Sequence, residues 1–179
     1  MPKTEDVRSS HTKKVLRDTM CAQLKVHDFD TVTVNDICIA AAVSRTTFYM
    51  HYEDKYDLMV DCIRAMTFPA GGPGLEENPE KFFEQCLSAV KSNDAVIRRL
   101  LKVNDTMELK WKMDGMFLKG YTQYFQARYP TSRGGLTAEM LATYHCQGVM
   151  CLILWWFSKG FPLAVSNMAK LLADQINQV

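Results

Sequence analysis

Apolar residues recur at three- and four-residue spacing along most of the chain, and no stretch sustains the two-residue alternation of a half-buried strand. The pattern predicts an all-α protein. Val15, Leu16, Met20, Leu24 and Val26 share the inner side of a first helix over 10–27. Thr33, with Asp36 three residues on, caps a second helix starting at Val34, where Ile37, Ala40 and Ala41 make a small, flat apolar face. Ser44 caps a third helix carrying Arg45 to Tyr52, and a fourth opens at Asp54 and runs to about Met66. The segment 68–79, FPAGGPGLEENP, holds three of the nine glycines and three of the six prolines, so helix must break there. Beyond it Asn78 and Pro79 open a helix with the stripe Phe82, Phe83, Cys86, Leu87 and Val90. Asp94 caps a short helix, Asp105 a long one to Arg128, Thr137 another to about Lys159, and Ser166 a last one. The division that follows is an N-terminal domain over 1–67, a linker over 68–78 and a helical C-terminal domain over 79–179.

Two short helices meeting through small residues, the second rich in hydrogen-bond donors, form the pattern of a helix-turn-helix reader of the DNA major groove. No acidic residue lies between Ser44 and Tyr52, which leaves Ser44, Arg45, Thr46, Thr47, Tyr49 and His51 free to face phosphates and bases. Arg45 has the geometry for a bidentate contact to guanine and a threonine methyl for packing on thymine, while Tyr49, His51 and Lys55 suit phosphate. Phe48 and Tyr52, four residues apart, are expected to pack inward instead. The alternative is an ordinary solvated helix face.

The run 16–58 resembles the N-terminal DNA-binding domain of TetR-type (tetracycline-repressor-like) transcriptional regulators. The matching residues are Thr33-Val34, Asp36-Ile37, Ala41, Val43-Ser44, Thr47-Phe48-Tyr49, His51-Tyr52, Lys55 and Leu58. The resemblance implies DNA contact by Thr33, Ser44, Arg45, Thr46, Thr47, Tyr49, His51 and Lys55. Two positions depart from the family pattern. Ala42 stands where the turn usually has glycine, so a positive φ there would be strained, and Asp28 stands where the first helix usually ends in glycine.

Composition narrows the class further. A hydrophobic content of 47% with 23% charged residues is that of a globular protein. The longest apolar run, 149–157, falls short of the ~20 residues that cross a bilayer, and the polar N-terminus lacks a secretory signal, so a cytoplasmic location without membrane association is expected. The six cysteines include no C-x-x-C pair and do not cluster with the four histidines at zinc spacing, which predicts no metal and no cofactor. Cys21, Cys38, Cys62 and Cys86 read as small hydrophobes. The first 67 residues hold nine basic and ten acidic side chains, so affinity for DNA must come from distribution: Arg8, Lys13, Lys14 and Arg17 on one side, and acids gathered at 53, 54, 57 and 61 on the other.

In the C-terminal half, Met107, Trp111, Phe117, Tyr121 and Tyr124, with Tyr144 from the next helix, offer lining for an effector pocket; simple core is the alternative. Lys110 and Lys112 are expected in solvent. The helix from Thr137 is apolar over much of its circumference and must be covered on more than one side. Leu141, His145, Gly148, Leu152, Trp155 and Trp156, with Leu172 and Ile176 of the final helix, are therefore expected to meet a second subunit about a two-fold axis. Glycine-rich phosphate loops, nucleophile elbows and metalloprotease motifs are missing, so no enzyme is expected. The sequence points to a homodimeric, sequence-specific DNA-binding regulator binding a double-stranded operator. Repression and control by a small-molecule effector are what the resemblance implies. The rival is a helical protein-interaction module that keeps the fold without binding DNA by itself.

Overall fold

A cap works only when its side chain reaches the free amides three residues on, and four of the expected caps do so in the computed structural model. The structure describes residues 4–68, 74–100, 106–130 and 135–177, with the side chains of 4–7, 100, 106–111 and 114 outside that description. Thr33 accepts from the Asp36 amide at 3.2 Å while Asp36 accepts from the Thr33 amide at 3.0 Å, a closed capping box. Ser44 accepts from Thr47 N at 3.0 Å, Asn78 from Lys81 N at 3.0 Å and Thr137 from Met140 N at 3.3 Å. The helices are α1 (Thr4–Gln23), α2 (Val34–Ala41), α3 (Arg45–Tyr49), α4 (Lys55–Thr67), α5 (Pro79–Ser92), α6 (Asp94–Leu100), α7 (Thr106–Arg128), α8 (Ala138–Ser158) and α9 (Val165–Asn177).

Several boundaries move. The first helix starts earlier and ends at Gln23, where looser turns run on to His27, so Asp28 does not end it; it precedes a 3-10 turn over Phe29–Thr31. Val26, expected inward, lies on that loosened segment and is exposed. Ser166 sits inside the first turn of α9 rather than before it. Ala42 does take a left-handed φ of 54°, because its amide must close α2 onto the Cys38 and Ile39 carbonyls before the chain turns. A Cβ there costs roughly 1–2 kcal/mol.

The chain divides into two compact units. The first contains residues 1–65 together with 93–112, and the second 66–92 with 113–179. A cut at 68–78 would separate α6 and the start of α7 from the unit they pack in. In the first unit Leu16 and Met20 of α1 and Leu24 just past its end follow at four-residue spacing and are fully buried with Phe29, Ile37, Phe48 and Leu58. Each such side chain contributes roughly 1.5–3 kcal/mol. In the second unit α5 packs along α9, where Met168, Ala169, Leu172, Ala173 and Ile176 form one stripe. Phe83, Leu87, Tyr121, Phe125, Leu141, Ala142, Cys146 and Trp156 complete that core.

The structure redistributes the residues expected at a dimer interface. Leu141, His145, Trp156, Leu172 and Ile176 are buried within the second unit, and Leu152 is partly buried against its core. The outward side of α8 instead shows Met140, Tyr144, Gly148, Cys151, Leu154 and Trp155, with Leu171 of α9 also exposed. A helix apolar all round has no phase from which to tell inside from outside. By length and composition α8 could also span a bilayer, contrary to what the short apolar run suggested, but one of its sides is core to this unit.

Candidate nucleic-acid interface

On a five-residue helix the phase of one anchor decides the rest. Phe48 is fully buried and fixes α3 on its unit, with Tyr52 against it at 5.7 Å between ring centroids. Arg45, Thr46 and Tyr49 are thereby turned outward together, and Thr47 is half-buried and spent on the cap. The Arg45 guanidinium lies 6.0 Å from the Tyr49 ring centre, so the two longest side chains of the exposed side lie together. Thr33 and Ser44 are exposed at the starts of α2 and α3, and His51 is half-buried beside Tyr52. Met50 is also outward, an apolar side chain beside the donors that charge-based reasoning passed over.

Lys55 does not join this surface. Its ammonium donates to three main-chain carbonyls, Phe29 and Val32 at 2.9 Å and Asp30 at 3.3 Å, and lies 4.6 Å from the centre of the Phe29 ring. Burial pulls its pKa down against the pull of Asp30 in the other direction. The lysine clamps the start of α4 to the 3-10 turn. At the start of α4 the Asp57 amide is taken by Asp54, and the Glu53 amide just before the helix by Asp57, so neither is open to phosphate.

The acidic cluster has internal partners. Asp61 accepts from Arg17 at 2.9 Å, from Arg64 at 2.6 Å and from the Tyr52 hydroxyl at 2.7 Å. Burial alone would raise its carboxyl; the bonds from Arg64, Arg17 and Tyr52 more than reverse that, to about 2. Asp54 and Asp57 are paired with Lys112 of α7, which is only 14% exposed and not in solvent as expected. Burial lowers the Lys112 pKa, and Asp57 and Asp54 raise it further than that. No local signal could have found this link, because its partners are 55 and 58 positions apart.

The second unit contains a cleft of about 460 Å3. Phe117 and Tyr121 line it as expected, joined by Phe68, Leu75, Phe82, Met116 and Gly120, with Glu76, Glu77 and Gln123 as polar lining. Tyr124 does not: it is buried and its hydroxyl donates to Asn177 at 2.8 Å. Tyr144 is 75% exposed on the outer side of α8, so it lines no cavity. The side chains of Met107 and Trp111 lie outside the described residues.

Residues 18–62 match the family model for bacterial regulatory proteins of the tetR family. The fold is similar to that of a TetR transcriptional regulator from Streptococcus agalactiae, at 18% identity and a TM-score of 0.62, covering 98% of this chain and 99% of that one. It is also similar to the dihydroxyacetone kinase operon activator DhaS (11%, TM-score 0.60, covering 93% and 94%). The fatty acid degradation regulator FadR from Bacillus halodurans matches at 16% identity and a TM-score of 0.55, covering 92% and 94%. Among curated proteins none matches the sequence.

Proposed function

We propose that this chain is a sequence-specific DNA-binding transcriptional regulator of the TetR type, acting as a cytoplasmic homodimer; the family match over residues 18–62 and the likeness of the fold support this. The observation that carries this is the outward side of α3. Arg45, Thr46 and Tyr49 are presented together, on a helix held by the buried Phe48 and capped by Ser44. Arg45 and Thr46 read base edges; Tyr49, His51 and Ser44 hold phosphate, whereas the Thr33 hydroxyl is taken by the Asp36 carboxylate at 2.6 Å. Lys55 leaves the contact set, since its charge is spent on carbonyls. Selection from random duplexes should enrich a motif with two-fold symmetry. Arg45→Ala should relax one position and cost ~1–3 kcal/mol, while Tyr49→Phe weakens all sequences evenly. If no motif is enriched, the interaction-module reading replaces this one. Its support, the acidic balance of the first 67 residues, is weakened because Asp54, Asp57 and Asp61 already have partners.

A small-molecule effector in the cleft is the second part of the proposal. Aromatic walls from Phe68, Phe82 and Phe117 beside Glu76 and Glu77 suit a flat apolar ligand bearing a cationic group. The cleft is lined from α7, whose first turns pack in the unit that holds the reader. Such a ligand should raise the unfolding temperature and change DNA affinity, and DNA should change ligand affinity by the same factor. Apolar cations that stabilise Phe117→Arg as much as wild type would place the ligand elsewhere and end this part of the proposal. Repression rests on family resemblance alone, and one of the similar folds is an operon activator.

A further inference from the structure

We propose that Cys21 of α1 and Cys62 of α4 are a peroxide-sensitive dithiol pair, which closes a disulfide around the entire reader. The two thiols stand together at the α1–α4 seam, close enough for each to shift the titration of the other. The Cys62 thiol donates to the Arg17 carbonyl at 3.7 Å, one helical turn before Cys21, so its sulfur lies on the surface of α1, on the side toward which the Cys21 side chain leans. Their environments differ in the way a reactive and a resolving cysteine need. Cys21 is partly exposed, and the neighbouring Cys62 thiol, aided by Lys25 and Arg17, lowers its pKa against burial and Asp18. Cys62 is buried, and the neighbouring Cys21, together with burial, raises its pKa and holds it as a thiol.

The chemistry closes without a cofactor. The Cys21 thiolate attacks one oxygen of hydrogen peroxide, the O–O bond breaks, and hydroxide leaves, giving Cys21 sulfenic acid. The Cys62 sulfur then attacks the Cys21 sulfur, the S–O bond breaks, and the oxygen departs as water with the Cys62 proton. Two thiols and one peroxide become one disulfide and two waters; the sulfurs lose two electrons and the peroxide gains them. Bonded sulfurs stand about 2 Å apart, closer than any two unbonded sulfurs, so closure draws α4 onto α1. The Lys55 end of α4, which is clamped to the turn before α2, is drawn with it.

The test treats the full chain with submillimolar hydrogen peroxide, blocks remaining thiols and locates the linkage by peptide mass. One Cys21–Cys62 link within a single chain is expected, reversed by dithiothreitol. Cys62→Ser and Cys62→Ala should instead accumulate a sulfenic acid at Cys21 that dimedone captures; either variant suffices should the other fold poorly. Cys21 remaining fully alkylatable, or a link formed only between chains through the exposed Cys151, would overturn the proposal. The effect on DNA rests on the DNA-binding reading. Oxidised protein should bind its site about fivefold or more weakly, the lower end of common coupling between sites. The disulfide is scored by mass, so absence of DNA binding in both redox states counts against the reader and not against the pair. A link that leaves affinity unchanged refutes the regulatory role.

Discussion

Asp61→Asn is expected to cost the N-terminal unit about 2–4 kcal/mol, the range for breaking a buried, hydrogen-bonded ion pair. The carboxylate is 8% exposed and holds Arg17 from α1, Arg64 from its own helix and the hydroxyl of Tyr52. An amide of the same shape keeps the packing but cannot serve three donors, and it leaves Arg17 without its counter-charge. The unfolding temperature should fall by roughly 5–10 °C at pH 7. The pH dependence follows from the direction of the shift. In the folded chain the carboxyl titrates at about 2, below its ordinary 3.8, so the folded state favours the ionised form. Its contribution, about 2 kcal/mol, is fully present above roughly pH 4 and disappears as pH falls toward 2. Wild type and variant should therefore converge in acid. Thermal unfolding of both proteins at pH 7 and in the acid range measures this. A variant that melts within roughly 1 °C of wild type at pH 7 would show that the network contributes nothing.

Trp155→Glu should dissociate the proposed homodimer. Trp155 is 47% exposed, on the side of α8 that also shows Met140, Tyr144 and Leu154, and Gly148 in the same stripe meets no neighbouring atom where a Cβ would stand. Two copies of this side can approach closely at the glycine and cover each other's aromatic rings. Being outside its own core, Trp155 can be replaced without opening a cavity, which Leu152, Leu141 or Trp156 could not. A carboxylate there would be buried next to its symmetry mate, costing ~3 kcal/mol or more, which raises the dissociation constant at least about 100-fold. DNA affinity should drop as well, because one subunit fills a single half-site. Sedimentation of both proteins decides it. Wild type that is monomeric at tens of micromolar, or a Trp155→Glu protein that stays dimeric, would remove the interface from this side.

Features whose partners lie within one turn are legible in the sequence alone. Thr33, Ser44, Asn78 and Thr137 announce their helices because a cap and its amide are three residues apart, and Phe48 and Tyr52 announce an inward side for the same local reason. Lys55 and Lys112 were misplaced because what they bind is distant in sequence: carbonyls 23 to 26 positions away and carboxylates 55 and 58 away. Nothing in a lysine's neighbourhood distinguishes a clamp from a solvated charge. The phase of α8 was lost for a different reason, that apolar residues lie on both its sides, so spacing alone selected Leu141 and His145 over Met140 and Tyr144. The cleft was half legible. Phe117 and Tyr121 are local to one helix, whereas Phe68 and Phe82 reach it through tertiary packing.

Lys112 also sets a timetable for synthesis. By residue 67 the ribosome has delivered α1 to α4 in full, but Asp54 and Asp57 then stand at the start of α4 with their common cation still unmade. The chain must first lay down α5, a helix belonging to the other unit, before α6 and the first turns of α7 return to complete this one. Domains fold as units while they emerge. Here the earliest unit to appear closes only after a piece of its neighbour has been inserted, so the nascent reader waits unclosed while about 45 further residues are made.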